Sequence, residues 1–112
     1  MHTMDNAANT SMLQGALAGL RVIDLTGVVL GPYATQILGD YGADVIKIES
    51  PSGDIMRHAG PMKHPGMGHI FMNANRNKRS VVLDLKQPEQ REQLLKLCKT
   101  ADVLTYNIRP AS

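Results

Sequence analysis

The stretch LRVIDLTGVVLGPYATQILGDYGADVIKIE, residues 20–49, decides the fold. Its first six residues, Leu20-Arg21-Val22-Ile23-Asp24-Leu25, are short, rich in branched side chains and bounded by Gly19 and Thr26-Gly27, as a buried strand requires. Pro32 follows Gly31 and reads as the first helical position, where Pro is favoured. Tyr33, Gln36, Ile37 and Asp40 then recur at helical spacing, and Gly42 stands ready to end the helix in a left-handed cap. Asp44-Val45-Ile46-Lys47-Ile48-Glu49 reads as a second strand. Strand, helix and strand within about 30 residues make one βαβ unit.

Outward from this unit, residues 50–69 are crowded with Pro and Gly and read as a loop, too long to be idle. Ser80-Val81-Val82-Leu83-Asp84-Leu85 suits a third strand. Gln87-Pro88-Glu89 opens a second helix, with Leu94, Leu95, Leu97 and Cys98 expected on one face and Lys96 and Lys99 at its dipole-favoured end. Asp102-Val103-Leu104-Thr105-Tyr106 is the fourth strand. Alternating strands and helices imply an α/β fold with a mainly parallel sheet and right-handed crossovers. Such sheets bind ligands outside the carboxyl ends of their strands. Here those ends are residues 26–31, 49–53, 86 and 107–110.

Residues 1–16 show no period and read as a loose leader, without the basic and apolar blocks of a signal peptide. No apolar run approaches the roughly 20 residues that span a bilayer, so no membrane partner is expected. A net charge of +2 is too mild to point to nucleic acid. One cysteine, Cys98, cannot close a disulfide within the chain, which suits a reducing, cytoplasmic setting. With no Trp and a single Phe, the core must be built from aliphatic side chains.

Three blocks carry a more specific signal. They are GPYATQ running on to LGDYGADVIKIE (residues 31–49), NRNKRSVVLDLK (residues 75–86) and ADVLTYNIRP (residues 101–110). In this order they resemble the amino-terminal region of family III CoA-transferases, a family that includes formyl-CoA and carnitine-linked transferases and the α-methylacyl-CoA racemases. The resemblance covers about residues 17–110 and implies a Rossmann-like sheet, the incomplete amino-terminal portion of a larger domain. It implies a CoA thioester and a small carboxylate as substrates, no tightly bound cofactor, and a homodimeric full-length enzyme.

CoA-contacting positions follow from the same resemblance. Val29 and Leu30 match a pair in the first loop that is Gln-Ala in formyl-CoA transferase-like sequences, and Ser50 matches a position that is often Arg. Leu83, Asp84, Leu85 and Lys86 match a segment along the nucleotide end, and Asn107, Ile108 and Arg109 match the turn after the fourth strand. The departures at Val29 and Ser50 remove polar partners and leave the acyl group open. The family's transferases use an aspartate nucleophile that passes through a mixed anhydride and an aspartyl thioester. None of Asp24, Asp44, Asp84 or Asp102 matches its motif, so no catalytic residue is expected in this chain, which is expected to be an inactive piece of the enzyme. A racemase-type member of the family is the alternative.

Other features admit plainer readings. Arg76, Lys78 and Arg79, with Lys86, offer charge to the phosphates of CoA, or form a solvated basic edge before a strand. The turn at residues 27–31 offers backbone N–H groups to a ligand, or is a tight connection. His58, His64 and His69 with Cys98 lack the paired spacing of a zinc site, so no metal is expected. Met56, Met62, Met67 and Met72 suit packing against a second subunit. Glu49 at a strand end would hold a ribose in a dinucleotide-binding half-domain, but the preceding loop lacks G-x-G-x-x-G. A non-catalytic remnant is the remaining alternative.

Overall fold

The computed structural model describes residues 15–109. Most of the leader, residues 1–14, therefore lies outside the described residues. The elements run β1 (Arg21–Leu25), α1 (Leu30–Asp40), β2 (Asp44–Glu49), a single 3-10 turn (Ile55–His58), α2 (His69–Ala74), β3 (Lys78–Val82), α3 (Pro88–Lys99) and β4 (Val103–Tyr106). The strands form one four-stranded sheet in the order β3-β2-β1-β4. Every pairing is parallel, as the alternating pattern predicts.

The two faces of the sheet bury different sets of aliphatic side chains. On one, Ile23, Ile46, Ile48 and Leu83 pack beneath Leu94, Leu97, Cys98 and Ala101. On the other, Val22, Ala43 and Val45 pack against Leu17, Leu20 and Leu38. Neighbouring strand residues face opposite sides, so β1 and β2 each supply both cores. Fully burying one such side chain contributes about 1.5–3 kcal/mol, enough for a thin core to hold the sheet.

The structure moves several boundaries. α1 begins at Leu30, which places Pro32 in the third helical position rather than the first. Pro is tolerated there because the first N–H groups of a helix have no helical partner. Gly42 does take the left-handed conformation, at φ 100°. β3 spans Lys78–Val82 rather than residues 80–85. Its register ends at Glu49 opposite Val82, where β2 itself ends, so the apolar run through Leu83 and Leu85 has no neighbour to continue along. Leu95 is 62% exposed and does not share the face of Leu94, Leu97 and Cys98. The long segment after β2 is not all loop, since it contains the 3-10 turn and α2.

Gly31 is where α1 meets the end of β1. A Cβ on Gly31 would sit 2.5 Å from Thr26 Cβ, inside any tolerable contact. Gly31→Ala is expected to push the helix start away from the strand end and cost about 1–3 kcal/mol. A shift in the urea midpoint with an unchanged slope would show it, and an unaltered midpoint would refute the close approach.

Candidate ligand site at the carboxyl ends of the strands

Two concavities meet at the carboxyl ends of β1, β2 and β4. One, of about 290 Å³, is lined by Ser50, residues 83–86, Ile108 and the strand-end residues Leu25, Ile48 and Glu49. The other, of about 230 Å³, shares Ser50 and Ile108 and adds Thr26, Gly27, Lys47, Gly53, Asp54 and Asn107. A larger open hollow of about 540 Å³ runs along Glu92, Leu95, Lys96, Cys98 and Lys99. It lies on the half of α3 that heads back toward the amino ends of the strands, and it gathers no polar groups from other elements.

The structure thus draws Ser50, Leu83, Asp84, Leu85, Lys86, Asn107 and Ile108 to one rim. Their side chains do different things. Leu83 is buried and belongs to the core. Asp84 Oδ1 accepts from the Lys86 backbone N–H at 3.1 Å, which turns the chain so that Lys86 stands exposed at the mouth. Asn107 spends its amide on Gly27: Oδ1 accepts from Gly27 N and Nδ2 donates to Gly27 O, each at 3.0 Å. Val29, Leu30 and Arg109 are exposed and line neither concavity.

The basic run does not gather at this rim. Arg76 forms a fork with Asp40, Arg79 one with Asp44, and Lys78 pairs with Asp24 at 2.9 Å. Because β3 starts at Lys78 in a parallel sheet, these cations stand at the amino ends, opposite the concavities. Lys86 is the cation of the basic set that reaches the carboxyl edge. The phosphate-offset reading of Arg76, Lys78 and Arg79 is therefore corrected.

Beneath the rim lies a buried ionic network that the sequence reading passed over. Lys47, in the middle of β2, is 2% exposed, donates to Thr26 O at 2.9 Å and pairs with Asp54 Oδ2 at 3.0 Å. That contact is a charge pair without an aligned hydrogen bond, and Asp54 Oδ2 has no other partner. Asp24, in the middle of β1, accepts from Thr26 N, Thr26 Oγ1 and Thr35 Oγ1. Burial alone would push the Asp24 carboxyl up, but these hydrogen bonds and Lys78 outweigh it and hold it below its ordinary value. Desolvation lowers Lys78 despite its partner Asp24. A signal was present: Asp24 and Lys47 each interrupt an apolar strand, and a charge buried there needs a partner.

Glu49 closes the network. Its two oxygens take a fork from Arg57, both contacts at 2.7 Å, together with Ser80 Oγ and the Asp54 N–H. Burial opposes ionisation, yet these donors bring the Glu49 pKa down to about 2. The Arg57 guanidinium also lies 3.9 Å from the centre of the Phe71 ring, tying the 3-10 turn to α2. With both oxygens committed, Glu49 is not free to hold a ribose, which removes the feature that suggested a dinucleotide half-domain. Among the described residues, no three His, Cys, Asp or Glu side chains converge as a metal set. No helix of the described residues is long and apolar enough to cross a membrane.

A family model for CoA-transferase family III matches residues 17–112. The chain belongs to that family. The succinyl-CoA:mesaconate CoA-transferase of Haloarcula hispanica is 48% identical over 99 residues, covering 85% of this chain and 25% of that protein. The formyl-CoA:oxalate CoA-transferase of Rhodopseudomonas palustris strain BisA53 is 46% identical over 98 residues, covering 85% and 23%. A crystal structure of a CAIB/BAIF family protein from Brucella suis superposes with a TM-score of 0.81 at 40% identity, over 87% of this chain and 27% of that one. The chain thus spans about a quarter of the length of the family III relatives it matches.

Proposed function

We propose that this chain builds the nucleotide-side wall of a CoA site in an enzyme that moves CoA from a CoA thioester to a small carboxylate. The observation that carries this reading is the rim at the carboxyl ends of the strands, where Ser50, residues 83–86 and Ile108 line one concavity with Lys86 at its mouth. A parallel sheet presents its ligand site there. An exposed ammonium at that edge suits a phosphate group through charge-assisted hydrogen bonding. We assign the covalent aspartyl step to none of Asp24, Asp44 and Asp54, since Asp24 and Asp54 are buried in ion pairs and Asp44 is paired with Arg21 and Arg79. The family resemblance and the lone cysteine support a homodimeric, cytoplasmic enzyme.

Calorimetric titration of the folded chain tests the site. CoA is expected to bind weakly, and 3'-dephospho-CoA and CoA to differ wherever a cation meets the 3'-phosphate. Lys86→Ala is expected to cost about 1.5–3 kcal/mol of binding, the range for a hydrogen bond to a charged group. Arg109→Ala, outside the lining, is expected to cost less. The same sample, given an acyl-CoA and a carboxylate, is expected to show no acyl exchange. Absence of heat with millimolar CoA, or binding of NADH in its place, would overturn the reading.

A further inference from the structure

The turn between β1 and α1 holds a conformation that its residues do not choose. Val28 stands at φ 75°, in the left-handed region that a β-branched residue rarely enters. Asn77, the other non-glycine residue with positive φ, is of a type that tolerates it. Strained backbone of this kind persists only where its surroundings over-determine it, and it clusters at ligand sites.

The surroundings here are explicit. Thr26 is held by Asp24 through its N–H and hydroxyl, and its carbonyl accepts from Lys47 Nζ at 2.9 Å. Gly27 is gripped at both its N–H and its carbonyl by the Asn107 side chain, at 3.0 Å each. The Val28 N–H donates to Asp54 Oδ1 at 3.3 Å. Asp54 is anchored in turn by Lys47 Nζ at 3.0 Å and by its own N–H on Glu49 Oε1 at 3.0 Å. Three strands therefore hold one short turn: β1 through Asp24, β2 through Lys47 and the following Asp54, and β4 through the following Asn107.

We propose that Asn107 and Asp54 are positioning residues that grip Gly27 and Val28, keeping the turn in its left-handed form as the wall of the CoA site. This rests on the CoA-transferase reading above. Both side chains are spent mainly on the turn. Asn107 has its oxygen and one amide hydrogen on Gly27, and the Asp54 side chain is 2% exposed. Without the grip, Val28 relaxes toward negative φ, the turn leaves the wall, and binding weakens through the backbone.

Asn107 carries the test because it is exposed and its loss strands no buried charge, whereas Asp54→Ala would leave Lys47 unpaired. The probes are CoA affinity and amide hydrogen exchange at Gly27 and Val28, in the full chain with and without Asn107→Ala and Val28→Gly. Asn107→Ala is expected to speed exchange at Gly27 roughly tenfold, leave the amides of β1 and β2 unchanged, and weaken CoA binding roughly tenfold. In the Val28→Gly background the loss of affinity is expected to shrink to about twofold, because glycine occupies both signs of φ about equally. Equal losses of affinity in both backgrounds would make Asn107 a direct ligand contact and overturn the proposal. Unaltered exchange at Gly27 would sink the grip alone. Failure of the unsubstituted chain to bind CoA would instead sink the CoA reading on which the proposal stands.

Discussion

Asp24→Ala is expected to destabilise the fold by about 3–5 kcal/mol, the cost of leaving one charge of a buried pair without its partner. Asp24 is fully buried in the middle of β1, and its partner Lys78, 2.9 Å away, has a side chain that is 2% exposed. Once Asp24 is removed, Lys78 retains only neutral acceptors, Pro32 O at 3.0 Å and Asn75 Oδ1 at 2.7 Å. The substitution also removes the acceptor of both Thr26 donors and leaves the Thr35 hydroxyl only the helix carbonyls of Gly31 and Pro32. Total stability for a domain of this size is about 5–15 kcal/mol, so a loss this large takes much of it. Lys78→Met is expected to cost less, because Asp24 would keep its three hydrogen bonds from threonines. The double change Asp24→Leu with Lys78→Met is expected to recover part of the loss, since an apolar pair of similar volume replaces a buried ionic one. Urea denaturation of the four proteins compares these outcomes. A loss below about 1 kcal/mol for Asp24→Ala would mean that the pair is not buried as described.

Acid is expected to unfold the protein through Glu49. Its carboxyl titrates at about 2 in the fold against 4.5 when free, so the folded state binds fewer protons between those values. A depressed carboxyl stabilises the fold above its unfolded pKa, and that stability is lost as pH falls through the folded one. The window is therefore about pH 4.5 down to about 2, and the size is about 3 kcal/mol. Asp24, also held low, acts in the same direction. Denaturant midpoints measured from pH 7 to pH 2.5 should stay level above pH 5 and fall steeply below 4.5. Glu49→Gln should lower the plateau and flatten the fall, because glutamine cannot take the Arg57 fork as an anion. The effect should resist salt, since the Glu49 side chain is 2% exposed and poorly screened. An equally steep fall in Glu49→Gln would move the acid sensitivity to another group.

The local order of the chain was legible because each element depends on its own few residues. Branched apolar runs, glycines at their ends, Pro32 near a helix start and Gly42 at its stop are enough to order strand, helix and strand, and their alternation is enough to make the sheet parallel. The three blocks at residues 31–49, 75–86 and 101–110 also carried the family, since long ordered matches are specific where single motifs are not. Tertiary structure alone decided where β3 stops, which cations are free and what Asn107 holds. β3 ends at Val82 because its partner strand ends at Glu49, although its own apolar run continues. Arg76 and Arg79 were available to a ligand until the fold brought Asp40 and Asp44 beside them, from 36 and 35 residues away. Asn107 reaches Gly27 across 80 residues because β4 pairs with β1 rather than with β3. Charge pairing and hydrogen bonding act over a few ångströms of space, while periodicity reports only neighbours along the chain. The framework was therefore written locally, and the identity of the free and committed groups at the rim was set by which strand ends the register brings together.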